Sequence, residues 1–172
     1  GAHFELGGVI LGGGEARAEI VTRVVHAPRA SSSQIVRAVQ WRRSTGNFLG
    51  KIEIPRDSQQ VDAAQNFKAI LLEAGASANA KPELEIYADD VKAAHGAAIG
   101  ALDANAAFYM ASRGIAPENA RKLLVRAFIA DAQVQISLPG RVAIDVQEEQ
   151  PVAIWVTNNG SYWLAANGAA LP

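Results

Sequence analysis

From Phe4 to Tyr87 the chain is built of short runs, EARAEIVTRVVHA, SQIVRAVQW, NFLGKIEI, QNFKAILLEA, ASANA and PELEIYA, each cut off by a turn signal. Apolar and polar residues alternate within these runs, and β-branched residues are common, a pattern that specifies strands and not helices. Ala18, Ile20, Thr22 and Val24 form a mainly apolar face against Arg17, Glu19, Val21 and Arg23, so such a strand is covered on one side only. The turns carry Gly12 to Gly14, Pro28, Ser31 to Ser33, Ser44 to Gly46 and Gly75. Strands this closely spaced suit an antiparallel sandwich or a β-helix whose coils stack small inward residues. No strict repeat is visible, ASANA fits either an inward alanine ladder or a weak strand, and composition puts the sandwich ahead.

The pattern changes at Leu102. Asp103 is placed to cap a helix over Ala104–Ser112, its carboxylate accepting from free N–H groups of the first turn, and Gly114 supplies a left-handed stop. A second helix is predicted from Pro117 to about Ala130, since proline is favoured at a first helical position. Its Ala120, Leu123, Leu124, Ala127 and Phe128 fall on one face and leave Arg121, Lys122 and Arg126 outward. After Asp131 the strand signature returns in AQVQISL, RVAIDVQEE, PVAIWVT and SYWLAA, with turns at Pro139-Gly140 and Asn159-Gly160. Three segments follow: a β core over 1–100, a helical hairpin over 101–131 and a β appendage over 132–172.

A length of 172 residues allows one sizeable core with a small addition, and 49% apolar with 19% charged residues describes a folded chain. The formal net charge of -1 creates no global field for nucleic acid or an anionic membrane. The absence of cysteine excludes disulfides, thiolate zinc sites, a cysteine nucleophile and thiolate ligation of a cluster by this chain alone. The opening GAHFELGGVILGGG has no basic n-region, and no apolar run approaches the roughly twenty residues that span a bilayer. The cytoplasm is the expected compartment, and a start at Gly1 without methionine suggests a piece of something longer.

Few motifs carry chemistry. The cluster LGGVILGGG lacks the Gly-Lys-Ser/Thr ending of a phosphate loop and the helix that would face an anion. No G-x-S-x-G elbow is present, and the paired acids Asp89-Asp90 and Glu148-Glu149 read as solvated turn residues. His3, His26 and His95 lie far apart. His95 sits near Asp89, Asp90 and Lys92, in a stretch read as ending a strand and preceding a helix, where carboxylates tune a histidine. That leaves His95 as a functional group or an ordinary exposed one; an enzyme acting through it with Asp89 or Asp90 has no evident substrate. The basic face of the second helix is either an interaction surface or a solvated face.

The run KPELEIYADDVKAAHGAAIGALDANAAFYMASRGIAPENARKLLVRAFIAD resembles the C-terminal signature of the SufB/SufD family, scaffolds of the SUF iron–sulfur cluster assembly system. RVVHAPRASSSQ, GNFLGKIEI and DAAQNFKAILLEAGASANAKP extend the likeness over Gly1 to about Asp131. The resemblance implies a mainly β fold, a truncated right-handed parallel β-helix followed by an α-helical hairpin, in place of the sandwich. It implies a cytoplasmic, non-enzymatic scaffold that pairs with SufB along the β-helix and docks the SufC ATPase through the helices over 103–130, with Arg121, Lys122 and Arg126 as docking residues. The family motif D-V-K-C-x-H-G places its histidine at His95, a contact for iron or a nascent cluster at the SufB interface, and its cysteine at Ala93. No cofactor is then held stably by this chain alone, only transient iron or an iron–sulfur cluster with donors from SufB. Truncation and the loss of the thiol imply impaired activity.

The tail LPGRVAIDVQEEQPVAIWVTNNGSYWLAANGAALP is similar to a short segment of the FtsQ/DivIB cell-division proteins. That likeness implies an alternative role, a cell-division module binding partners by strand addition, or a chimera of natural, engineered or artefactual origin.

Overall fold

The computed structural model describes residues 1–130, 153–157, 160–164 and 170–171. Strands β1 (His3–Gly12), β2 (Arg17–Val25), β3 (Ser31–Gln40), β4 (Thr45–Ile54), β5 (Val61–Leu71), β6 (Ser77–Ile86) and β7 (Val91–Gly100) precede helices α1 (Ala104–Ser112) and α2 (Pro117–Ala130). Strands β8 (Ala153–Thr157), β9 (Gly160–Leu164) and β10 (Ala170–Leu171) follow. The expected strands AQVQISL and RVAIDVQEE lie outside the described residues.

The odd strands stack as β1-β3-β5-β7 and the even strands as β2-β4-β6, each pair parallel. The chain therefore winds as a solenoid of about three turns, and the sandwich favoured by composition is not what forms. His3 pairs with Ser31, Ser31 with Asp62 and Val61 with Val91, steps of 28, 31 and 30 residues. A repeat exists, but corner insertions vary it between 28 and 32 residues per coil, the longest step running from Thr45 to Ser77, which is why no strict period shows in the sequence. β8 joins the open side of β1 in parallel, and β9 folds back on β8, with Thr157 opposite Gly160.

Left-handed backbone turns the corners. Gly14, Arg42 and Gly75 have φ of 67°, 58° and 88°, and Arg29 and Gln60 have φ of 59° and 61°. Glycine reaches this region freely, whereas an L side chain there is strained, so at Arg42, Arg29 and Gln60 the stacking of one coil on the next holds the residue in place. Backbone bonds do the holding: Arg43 N–H donates to Gly14 O at 2.7 Å and Arg29 N–H to Gln59 O at 2.9 Å.

Parity decides what is inside. β4 alternates half-buried and buried without a break, and Ala18, Ile20, Thr22 and Val24 of β2 are the sheltered face, as the sequence pattern predicts. ASANA and PELEIYA fuse into the one strand β6, with Ala78 buried and Ala80 half-buried as inward rungs. Pro82 is tolerated within it because β6 is the edge of its sheet. Phe48 and Phe67 meet across the lumen with ring centroids 5.6 Å apart and planes 6° from parallel. Ile10, Val36, Ala38 and Ala69 pack around them, and Ile52, Ile54, Val61 and Ala63 form a separate cluster.

His26 closes the corner after β2. It is buried; its Nδ1–H donates to Glu53 O at 3.4 Å, which leaves Nε2 to accept from the Ser32 hydroxyl at 2.7 Å. Burial pushes its pKa below the ordinary 6.5, against a smaller upward pull from the Glu53 and Val24 carbonyls. The unfolded chain thus binds the proton more tightly, so the stability tied to neutral His26 is intact above pH 6.5 and is lost as pH falls from there through the lowered folded value. Chemical denaturation at a series of pH values checks this: His26→Gln lowers stability at neutral pH and shows a shallower loss between neutral and mildly acidic pH than the parent. In the same assay Phe67→Ala, which empties one side of the ring stack, costs about 3–5 kcal/mol.

Candidate functional site

β7 is the last coil. One side pairs with β5, with Gln65 opposite His95, and the other side is the edge of its sheet. Parity puts His95 in the inward row that runs Leu6, Gln34, Gln65, His95, and because no further odd strand stacks on β7 its ring is exposed. His95 therefore lies within a strand, not in a link between strand and helix as the sequence suggests. The strand continues because Val91, Ala93 and Ala97 keep the inward alternation of the coils beneath.

Ala93 shares that face two positions earlier, about 7 Å along the strand. Asp89 and Asp90 occupy the preceding corner, where Gln60 N–H donates to Asp90 O at 2.6 Å and Asp90 N–H to Gln59 Oε1 at 2.8 Å. The Asp90 backbone braces the corner, both acids are exposed, and no hydrogen bond joins either of them to His95. Among the described residues no cluster of three or more His, Asp and Glu side chains is placed to hold a metal ion. A single imidazole is one ligand where iron and its clusters take several, so these residues alone do not fit a resident metal centre.

The helical hairpin is capped as the sequence predicts: Asp103 Oδ1 accepts from Asn105 N–H at 2.8 Å and Ala106 N–H at 3.3 Å, and Gly114 has φ of 83°. The apolar face of α2 is narrower than expected. Ala120 is buried and Leu124 and Phe128 are half-buried, while Leu123 and Ala127 face solvent. Beneath α2 lies β3, where the Arg37 guanidinium sits 5.8 Å from the Phe128 ring centroid. Arg37 is buried, and its Nη1 donates to Asn66 Oδ1 at 2.9 Å and Val36 O at 3.2 Å. Between coil and hairpin, Leu71, Leu102, Ala107, Pro117 and Leu124 line a cavity of about 320 Å³.

The three basic residues of α2 separate. Arg121 is tied to the solenoid, its Nη2 donating to Leu72 O at 3.2 Å and lying 3.6 Å from the Glu73 carboxylate. Lys122 and Arg126 are exposed. On α1, Phe108 and Tyr109 are 76% and 57% exposed, the largest apolar surface on the hairpin. Arg37, Gln34 and Gln65 escape the sequence reading because a polar residue inside an alternating run gives no sign of its neighbours until the register is known. The one signal for Arg37 is its place in SQIVRAVQ, where it interrupts an apolar stretch.

No helix among the described residues is long and apolar enough to cross a membrane. Residues 1–128 match the SufBD core domain of the SUF system for FeS cluster assembly. The chain is similar to an iron–sulfur cluster assembly SufBD family protein of Synechocystis, at 35% identity over 77% of this chain and 30% of the relative. It is similar to the iron–sulfur cluster assembly protein SufD of Bacillus subtilis at 30% identity, over 81% of this chain and 32% of the relative. SufD of Escherichia coli aligns at 34% identity over 59% of this chain and 24% of its own length. The chain spans about a third or less of each of these relatives. The family match leaves residues 129–172 aside, so the FtsQ/DivIB likeness of the tail rests on that short motif alone. A parallel β-solenoid closed by a capped helical hairpin, matched along three quarters of its sequence, establishes that this chain belongs to the SufB/SufD family.

Proposed function

We propose that this chain is a scaffold segment for iron–sulfur cluster assembly, pairing with SufB at the β7 end of the solenoid and docking SufC through the α1–α2 hairpin. The observation that carries the reading is the position of His95: the residue at the family's histidine position stands exposed on the terminal coil, on a strand edge where a second β structure can add. Iron or a nascent cluster is cargo here. His95 lends one imidazole, and the remaining donors come from SufB, because this chain has no thiol and Ala93 occupies the position next to it on the inward face.

The hairpin supports the second contact. Phe108 and Tyr109 of α1 present aromatic surface of the kind that anchors interfaces, Lys122 and Arg126 of α2 add exposed charge to the same hairpin, and Arg121 serves to hold α2 against the coil. The scaffold role needs no catalytic group in this chain.

Co-purification with SufB and SufC tests the reading, and failure to bind either leaves only the family fold. Lys122→Glu with Arg126→Glu weakens SufC binding about tenfold, measured by calorimetry, and leaves SufB binding unchanged. His95→Ala leaves both associations intact and lowers the iron retained by the reconstituted complex. Ala93→Cys raises it, since a thiolate is the stronger cluster ligand.

A further inference from the structure

The lumen of the solenoid is not apolar throughout. The cluster around Phe48 and Phe67 and the cluster around Ile52 and Val61 do not touch, and one layer of residues lies between them. Along β3 this layer holds Gln34, along β5 Gln65, along β2 Thr22 and along β4 Gly50. Gln65 shows that the rows face one another, since its Nε2 crosses the lumen to donate to Gly50 O at 3.2 Å and Glu83 O at 3.3 Å.

Gln34 and Gln65 are 1% and 2% exposed. Both amide atoms of Gln34, Oε1 of Gln65 and Oγ1 of Thr22 have no hydrogen-bond partner in the protein, and of such atoms among the described residues only Gln40 Oε1 lies elsewhere. A buried polar atom left without a partner loses its full hydration, and these four lie in a single layer of a small core. No protein group pairs with these atoms as the coils are stacked: Gly50 brings no side chain to the layer, and Gln65 Nε2 is already engaged. Two oxygens and a complete amide, offering donors and acceptors together with no charge among them, are suited to water, which makes about three bonds when buried, and not to an anion or a metal.

We propose that the Thr22–Gln34–Gln65 layer is an internal hydration site that holds ordered water between the two halves of the core. The water is part of the fold: it joins the first, second and third coils through side chains where the packing of apolar groups is interrupted. The proposal stands apart from any binding to SufB or SufC.

Oxygen-17 relaxation dispersion of the full chain tests this by counting long-lived internal water. The expected result is a dispersion in the parent that falls in Thr22→Val with Gln34→Leu, with the circular dichroism spectrum and cooperative unfolding retained. Gln34→Met, nearly equal in volume, gives the same fall by itself and keeps the test open should the double variant not fold. Equal dispersion in the parent and Gln34→Met overturns the proposal. So does a high-resolution crystal structure in which Gln34 bonds Thr22 or Gln65 directly with no water between them.

Discussion

Parallel register between coils is the constraint on which everything else rests. Each inward residue of one coil lies over an inward residue of the next, at the strand spacing of about 4.8 Å, so a choice made once is imposed on a whole row. The row through Gly8, Val36, Phe67 and Ala97 keeps an aromatic ring beside small residues, and the row through Leu6, Gln34, Gln65 and His95 keeps polarity in the lumen. A slip of one residue would send both rows to the outside. The left-handed corners at Gly14, Arg42 and Gly75 serve this register, since they absorb the unequal coil lengths that the strands cannot.

The same row explains why His95 belongs to the core by parity and to the surface by position. Within the solenoid an inward histidine would have met a coil on either side and needed partners there, as His26 finds in Ser32 and Glu53. At the last coil it has a neighbour on one side only. Two histidines of one chain thus have opposite fates: one is buried, neutral and structural, and the other is presented at an edge. Closeness in sequence to Asp89 and Asp90 played no part, since these residues lie in the corner before β7, where the Asp90 backbone bonds Gln59 and Gln60.

The hairpin is attached by polar groups as well as by apolar contact at Ala120 and Leu124. Arg37 stands on the outer face of β3, holds Asn66 of the next coil and supports Phe128 of α2. Arg121 makes a second tie at Leu72. Leu123 and Phe108 remain exposed, and the exposed Tyr109 is held within the hairpin by Arg113, which bonds its hydroxyl at 2.6 Å and lies 4.7 Å from its ring centroid. An outward sheet face in a solenoid is otherwise polar, and a guanidinium bridges it to an aromatic ring where a larger apolar patch would have left the sheet sticky.

By itself the sequence determined the local events. Alternation in EARAEIVTRVV and NFLGKIEI set which side chains of each strand are sheltered, and Asp103, Gly114 and Pro117 set where the helices start and stop, because these depend on residues within a few positions of one another. Family membership was legible too, carried by the run from Lys81 to Asp131. Only the tertiary structure decided which strands are neighbours, since parallel coils join residues 28 to 32 positions apart through corners of unequal length. That pairing, and no local pattern, put Gln34 beside Gln65, Arg37 beneath Phe128, and His95 at the open end of the last coil.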